Sequence, residues 1–349
     1  MILGIETTCD ETSAAIVRDG RAVLSNVVSS QIDLHAKFGG VVPEVAARAH
    51  LESLNAIVAE ALAQAGITNP AQQLTGVAVA NCPGLIGCLL VGTAAAKGFA
   101  FAWEKPLIAV NHVQAHLYSV VLQESVSLSP TPPLSHAPIF PAIGLVMSGG
   151  HSSLYHVHAF HELRRIGQTQ DDAVGEAFDK VASILQLGYP GGPLIDKLAQ
   201  SGDPQAIKFP VAHLDKDSLN FSFSGLKTAV LYHVNGRKGR ERDASSLSPQ
   251  QKADVAASFQ RTVVEMLVEK IRRAANRYAT RTILIGGGVS ANTAIRKAVL
   301  QLGQELNLPV YIPPMRYCTD NAAMIAGLGH QLLATGRTAD LNLETIATV

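Results

Sequence analysis

An apolar run, a short polar loop and a returning apolar run occur twice in this chain. The first copy is Ile2–Glu6, Thr7–Glu11 and Thr12–Val17; the second is Ile143–Met147, Ser148–His151 and Ser152–His158. Runs this short, bounded by small polar residues, predict strands. The copies share a layout and not a sequence. Two such units in one chain predict a duplicated α/β domain with a ligand held between its halves. Asp19-Gly20 extends the first unit, because Asp-Gly between apolar runs predicts a tight hairpin into a third strand, Ala22–Val28.

The 349 residues suffice for two cores, since single cores rarely grow past roughly 250–300 residues. Aromatics make up only 5% and glycines number 29, which favours tight strand–loop–helix junctions over a β-sandwich. Between the copies the pattern predicts a helix over Pro43–Ala65, a strand at Gly76–Ala80, a helix through Gly84–Phe101, a strand at Leu107–Val110 and a helix carrying His112. Ser125–Pro141, rich in Ser and Pro, reads as a linker. Beyond the second copy, Asp172–Leu187 looks helical. Ser248-Pro249-Gln250-Gln251 is a capping-box pattern with proline at the first helical position. It opens a helix to about Tyr278 on which Val255, Phe259, Val263, Leu267 and Ile271 share one face. Strands at Thr282–Ile285 and Pro309–Ile312 follow, and Asp320 opens the last main helix.

Basic and acidic residues balance at 28 each, giving a formal net charge of zero. A chain that grips nucleic acid by itself usually carries a basic excess. Either the ligand is small, or a nucleic-acid partner is held by local patches and helper subunits. The dense basic run Arg237-Lys238-Gly239-Arg240-Glu241-Arg242 reads as a solvated loop, with phosphate contact as the alternative. Cys9, Cys82, Cys88 and Cys318 show no CxxC spacing, the chain opens directly on a strand pattern, and no apolar run reaches the ~18 residues of a membrane span. Free thiols in a reducing cytoplasm are the expectation.

His112-Val-Gln-Ala-His116 puts two imidazoles on one helix face, a spacing that suits two ligands of one divalent metal. The zinc-protease motif shares the spacing but places a Glu general base directly after the first His; here Val113 stands, which accepts no proton. A helix whose histidines cap or pack without metal is the alternative. Asp320 fits two roles, N-cap of its helix or third, carboxylate ligand. A His₂Asp set with open positions suits Zn²⁺, Fe²⁺ or Mn²⁺ as a Lewis acid. Ser148-Gly149-Gly150 at a strand end is either an anion cradle or an ordinary turn. The run Gly286–Asn292 sits where open α/β folds bind nucleotides, but it is not GxGxxG, which argues against a dinucleotide. Asn292 either bonds a ribose or base edge or caps its helix. Asp179 and Asp196, beside Gly191-Gly192-Pro193, offer carboxylates to ribose hydroxyls or are plain helix acids.

Nine motifs occur in order: Gly4-Ile-Glu-Thr-Thr-Cys-Asp-Glu-Thr12, Gly39-Gly-Val-Val-Pro-Glu44, His112-x-x-x-His116, Ser148-Gly-Gly-His151, Gly175-Glu-Ala-Phe-Asp-Lys180, Tyr189-Pro-Gly-Gly-Pro193, Phe221-Ser-Phe-Ser-Gly-Leu-Lys227, Gly287-Gly-Val-Ser-Ala-Asn292 and Cys318-Thr-Asp-Asn321. Together, from Ile2 to about Gly329, they resemble the universal TsaD family of tRNA N6-adenosine threonylcarbamoyltransferases. The resemblance implies an α/β fold of the actin/Hsp70/sugar-kinase (ASKHA) type, two RNase H-like halves around a central interdomain cleft. Residues 1–124, completed by a C-terminal helix at about 320–349, would form the first half. Residues 125–141 would be the linker and 142–319 the second half, with helical insertions.

The implied reaction moves the threonylcarbamoyl group of L-threonylcarbamoyl-adenylate to N6 of adenosine 37 in tRNAs reading ANN codons, giving t6A and AMP. By motif match His112, His116 and Asp320 would hold one divalent metal ion, Fe²⁺ or Zn²⁺. Val146, Met147, Ser148, Gly149, Gly150, Asp179, Gly192, Asp196 and Asn292 would hold the adenylate. Asp10 and Glu11, in the first polar loop, are candidates to steer or deprotonate the attacking amine. Implied partners are tRNA, a catalytically silent paralogue (TsaB) and a small ATPase (TsaE), with a homodimer also compatible and no membrane. Asn111 departs from the family where many relatives have a further His, as does Asn81-Cys82 before the Pro-Gly-Leu turn, and the linker is longer than in compact relatives. An ATPase or sugar kinase of the same fold class would hold Mg²⁺ by carboxylates and water without a His pair. A metalloprotease would need the Glu that Val113 replaces, and a non-catalytic scaffold would lack the His pair and the Asp320 motif.

Overall fold

Asp19 and Gly20 both take left-handed backbone, with φ of 52° and 71°, and turn strand β2 (Glu11–Arg18) back into β3 (Ala22–Ser30). Strand β1 (Ile2–Glu6) lies antiparallel to β2, with Gly4 opposite Ala15. The computed structural model describes residues 1–124, 139–211, 217–236 and 243–348. After the meander come α1 (Ile32–Ala36), α2 (Pro43–Gln64), α3 (Pro70–Gln73), β4 (Gly76–Cys82), α4 (Ile86–Ala102), β5 (Leu107–Asn111), α5 (His112–Tyr118) and β6 (Gln123–Glu124). The sheet order is β5-β4-β1-β2-β3-β6, with β4 parallel to β1 and β5 parallel to β4.

The second sheet repeats this plan. Strands β7 (Ala142–Met147), β8 (Ser152–Ala159) and β9 (Glu162–Gln168) form an antiparallel meander. Helices α6 (Val174–Ile184), α7 (Gly191–Ala199), α8 (Ser224–Asn235) and α9 (Pro249–Arg277) precede β10 (Thr282–Gly286), α10 (Thr293–Leu306) and β11 (Val310–Tyr311). β10 joins β7 in parallel and β11 joins β10, giving the order β11-β10-β7-β8-β9. The chain ends with α11 (Ala322–Ala334), and it divides into two compact units, Met1–Pro138 with Pro313–Val349, and Ile139–Ile312. The duplicated layout therefore holds at the level of topology, a meander of three with two parallel strands added beside the first.

In the first unit, β1 is buried on both faces. Leu3 and Ile5 pack with Leu54 and Val58 of α2 and Ala96 and Ala100 of α4. Gly4 points to the alternate face, where a Cβ would lie 2.3 Å from the Ala322 carbonyl oxygen, so only glycine lets α11 approach. In the second unit Ser248 completes its capping box, and Val255, Phe259, Val263, Leu267 and Ile271 are all buried along α9.

The helix expected over Asp172–Leu187 is shorter, Val174–Ile184, because both preceding acids are engaged in loop bonds. Asp171 accepts from the Phe223 and Ser224 amides at the start of α8, and Asp172 takes Lys180 and Lys227 at 2.9 and 2.8 Å. The basic run at 237–242 and most of the 125–141 segment lie outside the described residues. Among the described residues, no helix is long and apolar enough to cross a membrane.

Phe259 meets Phe178 edge to face, with centroids 5.1 Å apart. Phe259→Ala is expected to lower stability by about 3–5 kcal/mol, whereas Leu300→Ala on the exposed side of α10 changes it by less than about 0.5 kcal/mol. Urea denaturation followed by circular dichroism measures both.

Candidate functional site

Helix α5 starts where β5 ends. Asn111 accepts from the Gln114 amide at 3.1 Å and so caps a helix of seven residues. His112 and His116 stand one turn apart on it, both buried. His112 Nδ1 lies 2.9 Å from Glu6 Oε2 and 3.3 Å from Thr8 Oγ1. A proton on Nδ1 directed at Glu6 leaves the Nε2 lone pair free, as in carboxylate–histidine–metal arrangements. That Nε2 is 3.1 Å from His116 Nε2, and Asp320 Oδ1 sits 3.1 Å from His116 Nε2 and 3.5 Å from His112 Nε2.

Asp320 is available for this position because it is not the cap of its helix. Asn321 accepts from the Met324 amide at 3.1 Å, its own amide donates to the Thr319 carbonyl at 2.8 Å, and α11 begins at Ala322. Of the two roles open to Asp320 in the sequence, capping falls to its neighbour, and the expectation that the helix opens at Asp320 is corrected by two residues.

Three donor atoms thus converge from α5 and the entry to α11. Two ligand atoms ~2.1 Å from one ion and subtending ~90–110° lie roughly 3.0–3.4 Å apart; the two separations of 3.1 Å fall in that range and the third, 3.5 Å, lies just beyond it. Two imidazole nitrogens and one carboxylate oxygen are a borderline donor set. His116 Nδ1 is buried and has no hydrogen-bond partner among the described residues, which leaves Nε2 as the ring's engaged atom. Cys9-Asp10-Glu11 passes beside the cluster. Burial, then the nearby Asp320 and Asp10 carboxyls, push the Glu11 carboxyl up to about 10. Burial alone would discharge His112, but Glu6 and Asp320 outweigh it and hold the imidazole at about 9. Burial and the charge on His112 lower His116, against the pull of Asp320. Four acids around two imidazoles are what a bound cation's charge would offset. Glu6 and Thr8 were not singled out as site residues by the sequence pattern. The available signal was an acid closing an otherwise apolar strand.

In the second unit Val146 and Met147 end β7, Ser148, Gly149 and Gly150 follow it, Asn292 follows β10, Asp179 lies on α6, and Gly192 and Asp196 lie on α7. β7 and β10 run parallel, with Gly286 beside Val146, so their C-terminal ends share an edge, the usual ligand edge of such sheets. Gly287 has φ of 88°, and a Cβ there would fall 2.2 Å from the Met147 carbonyl oxygen. Val146 and Met147 bury their side chains. The Ser148 loop closes through its amide on the His151 carbonyl at 2.8 Å and the His151 amide on Ser148 Oγ at 3.1 Å. Gly149, Gly150 and Gly192 have open space where a side chain would be. The Gly175 amide at the start of α6 donates to the Ser148 carbonyl at 3.2 Å, and the Gly191 amide at the start of α7 donates to Asp179 Oδ1 at 2.7 Å. Asp196 receives the Thr293 amide and hydroxyl at 3.0 and 2.9 Å, which ties α7 to α10. Asn292 caps α10 by accepting from the Ile295 amide at 3.0 Å, and its amide donates to Gln260 at 2.8 Å. Capping is thus an observed role of Asn292. The starts of α6, α7 and α10 and the Ser148 loop are linked in sequence by these bonds.

A family model described as tRNA N6-adenosine threonylcarbamoyltransferase (TsaD) matches residues 22–327. A protein of that name from Anaeromyxobacter dehalogenans (strain 2CP-C) is 49% identical over 98% of each chain. One from Symbiobacterium thermophilum is 49% identical over 99% of this chain and 95% of that one. Among solved structures, HypF from T. kodakarensis aligns with a TM-score of 0.59 at 15% identity, covering 96% of this chain and 47% of that chain. Component A of the Acidaminococcus fermentans (R)-2-hydroxyglutaryl-CoA dehydratase aligns at 0.51 and 15%, covering 95% and 98%. At such identities the likeness is one of fold alone.

A metal-ligating imidazole must be unprotonated at the bonding nitrogen. With His112 held at about 9 in the metal-free protein, Zn²⁺ uptake near pH 7 is expected to release protons and to strengthen as pH rises toward 9. Calorimetry in buffers of different ionisation heat measures this. His112→Ala/His116→Ala is expected to abolish the roughly one-to-one uptake.

Proposed function

The chain belongs to the tRNA N6-adenosine threonylcarbamoyltransferase family, and we propose that it moves the threonylcarbamoyl group of L-threonylcarbamoyl-adenylate to N6 of adenosine 37 in tRNAs reading ANN codons, leaving t6A and AMP. The observation that carries the mechanism is the convergence of His112 Nε2, His116 Nε2 and Asp320 Oδ1 within 3.1 to 3.5 Å of one another. A divalent ion there, Fe²⁺ or Zn²⁺ by the donor set, would supply Lewis-acid charge to phosphate or threonyl oxygens of the donor.

In the reaction a bond forms between N6 and the carbamoyl carbon, the bond from that carbon to the AMP phosphate oxygen breaks, and N6 gives up a proton. Glu6 fixes the His112 ring, and so the direction of its Nε2. Asp10 orients the attacking amine. Glu11 is held protonated by burial and by its acidic neighbours. Positive charge beside it lowers that carboxyl and fits it to take the amine proton. On the second unit, the amides of Gly149, Gly150 and Gly192 and the starts of α6 and α7 suit a phosphate. Asp179, Asp196 and Asn292 have acceptor lone pairs for ribose hydroxyls or base edges, while Val146, Met147 and Ser148 contribute main chain and one hydroxyl. Placing amine and carbonyl together is the larger part of the task, because adenosine N6 is a weak nucleophile and AMP is already a good leaving group. Partners in this reading are tRNA, the paralogue TsaB and the ATPase TsaE, with a homodimer as a further assembly, in the cytoplasm.

The test is mass spectrometry of unmodified ANN-reading tRNA after incubation with threonylcarbamoyl-adenylate, with and without the helper proteins. The intact protein is expected to form t6A, and His112→Ala/His116→Ala none. Unchanged product from that double variant would keep the reaction and remove the metal from it. Asp10→Ala and Glu11→Ala are expected to lose about 10²-fold or more in turnover while keeping metal uptake.

A further inference from the structure

Helix α2 turns Ala46, His50, Leu54, Val58 and Ala61 to the core, and one member of that stripe is a histidine. His50 is 0% exposed, at a place where packing alone calls for an aliphatic side chain. Both its nitrogens are engaged. Nε2 donates to the Cys9 carbonyl at 3.0 Å, and Nδ1 accepts from the Thr12 hydroxyl at 2.8 Å. That hydroxyl in turn accepts from Ser53 at 3.1 Å. Gln31, also buried, brings its side-chain amide within 3.4 Å of the same Nδ1, and its backbone amide donates to the Asp10 carbonyl at 3.0 Å. Gln31 Oε1 accepts from His35 Nε2 at 3.1 Å, and His35 Nδ1 accepts from the Val42 amide at 3.3 Å.

A buried polar network destabilises a core unless every member is satisfied, and here each polar side-chain atom of His35, His50 and Gln31 has a partner. Its ends are informative. They are the carbonyls of Cys9 and Asp10 and the hydroxyl of Thr12, which bracket Asp10-Glu11 on both sides. The bond of the Gln31 backbone amide to Asp10 carries the β2–β3 ladder one step past Glu11 and Ser30, whereas the bonds of His50 to Cys9 and Thr12 come from its side chain and would be lost with an aliphatic residue. We propose that His50 and Gln31 are positioning residues for the loop that presents Asp10 and Glu11, acting through the Cys9 and Asp10 backbone and touching no substrate. The proposal rests on the role given above to those two acids.

The test uses the full-length protein with its helpers. His50→Leu removes both ring bonds at similar volume, and His50→Gln restores an amide donor toward Cys9. His50→Leu is expected to lower kcat about 100-fold, to leave KM for the adenylate within about threefold, and to leave metal uptake unchanged. Amide exchange over residues 8–12 should quicken in His50→Leu, and His50→Gln should recover most of both losses. In a Glu11→Ala background His50→Leu should add less than about threefold, because the two act as one unit. Losses that multiply in the double variant, or a fallen kcat with unchanged loop exchange, would overturn the proposal. So would a melting temperature lowered equally in both variants with kcat per folded molecule intact. If His50→Leu does not fold, Thr12→Val removes the same Nδ1 bond and is held to the same readouts. Wild-type protein that makes no t6A would defeat the reaction alone, since loop exchange still decides what His50 holds. Full rates in Asp10→Ala and Glu11→Ala would remove the loop from the reaction and this proposal with it.

Discussion

An acid at the buried end of β1 has to be answered by the protein around it, and much of the first unit is that answer. Glu6 is 0% exposed. One oxygen takes the Thr8 amide at 2.6 Å, which bends the chain out of the strand, and the other faces His112 Nδ1 at 2.9 Å. A buried acid left without partners would cost several kcal/mol. Satisfying it fixes the start of the Thr7–Glu11 loop and the tautomer of the first histidine together. The direction of His112 Nε2, and with it the convergence on Asp320, follows from a contact between two buried side chains.

The two sheets put the same topological position to opposite electrostatic uses. After β1 the loop to β2 carries Asp10 and Glu11, close to Glu6 and Asp320, and concentrates carboxyl groups. After β7 the loop to β8 carries Ser148, Gly149 and Gly150, with open space at both glycines and backbone amides to offer. Acids suit a cation, and glycine amides beside helix starts suit an anion. The two frames share a topology, and the residues in one short loop of each differ in the sign of charge they would suit.

The strands were readable where local rules decide them. Asp19-Gly20 takes the doubly left-handed turn that its residues demand, and Ser248 with Gln251 forms the capping box its spacing announces. The apolar period of α9 named its buried face correctly. Strand β9 escaped because ELRRIGQ has a charged, half-exposed pattern that reads as loop. At the site, spacing put the two histidines on one helix face but left packing without metal open, and Glu6 was hidden as a strand residue. Asp320 and Asn321 could not be told apart, since both are good caps and only the fold shows which side chain turns back to Met324. His50 kept the helical period, so nothing local marked it as polar in purpose.

Asp320 belongs to the stretch Pro313–Val349, which joins the first unit only after the chain has traversed Ile139–Ile312. On a ribosome, His112 and His116 are made well before Asp320, with the whole of Ile139–Ile312 between them. The same late segment brings Ala322 against Gly4 and buries the face of β1 opposite Leu3 and Ile5. A nascent chain therefore carries the two histidines without Asp320 throughout the making of its second unit. Assembly of the His112, His116 and Asp320 cluster and closure of the first core become a single late event, so a protein truncated before Asp320 loses both together.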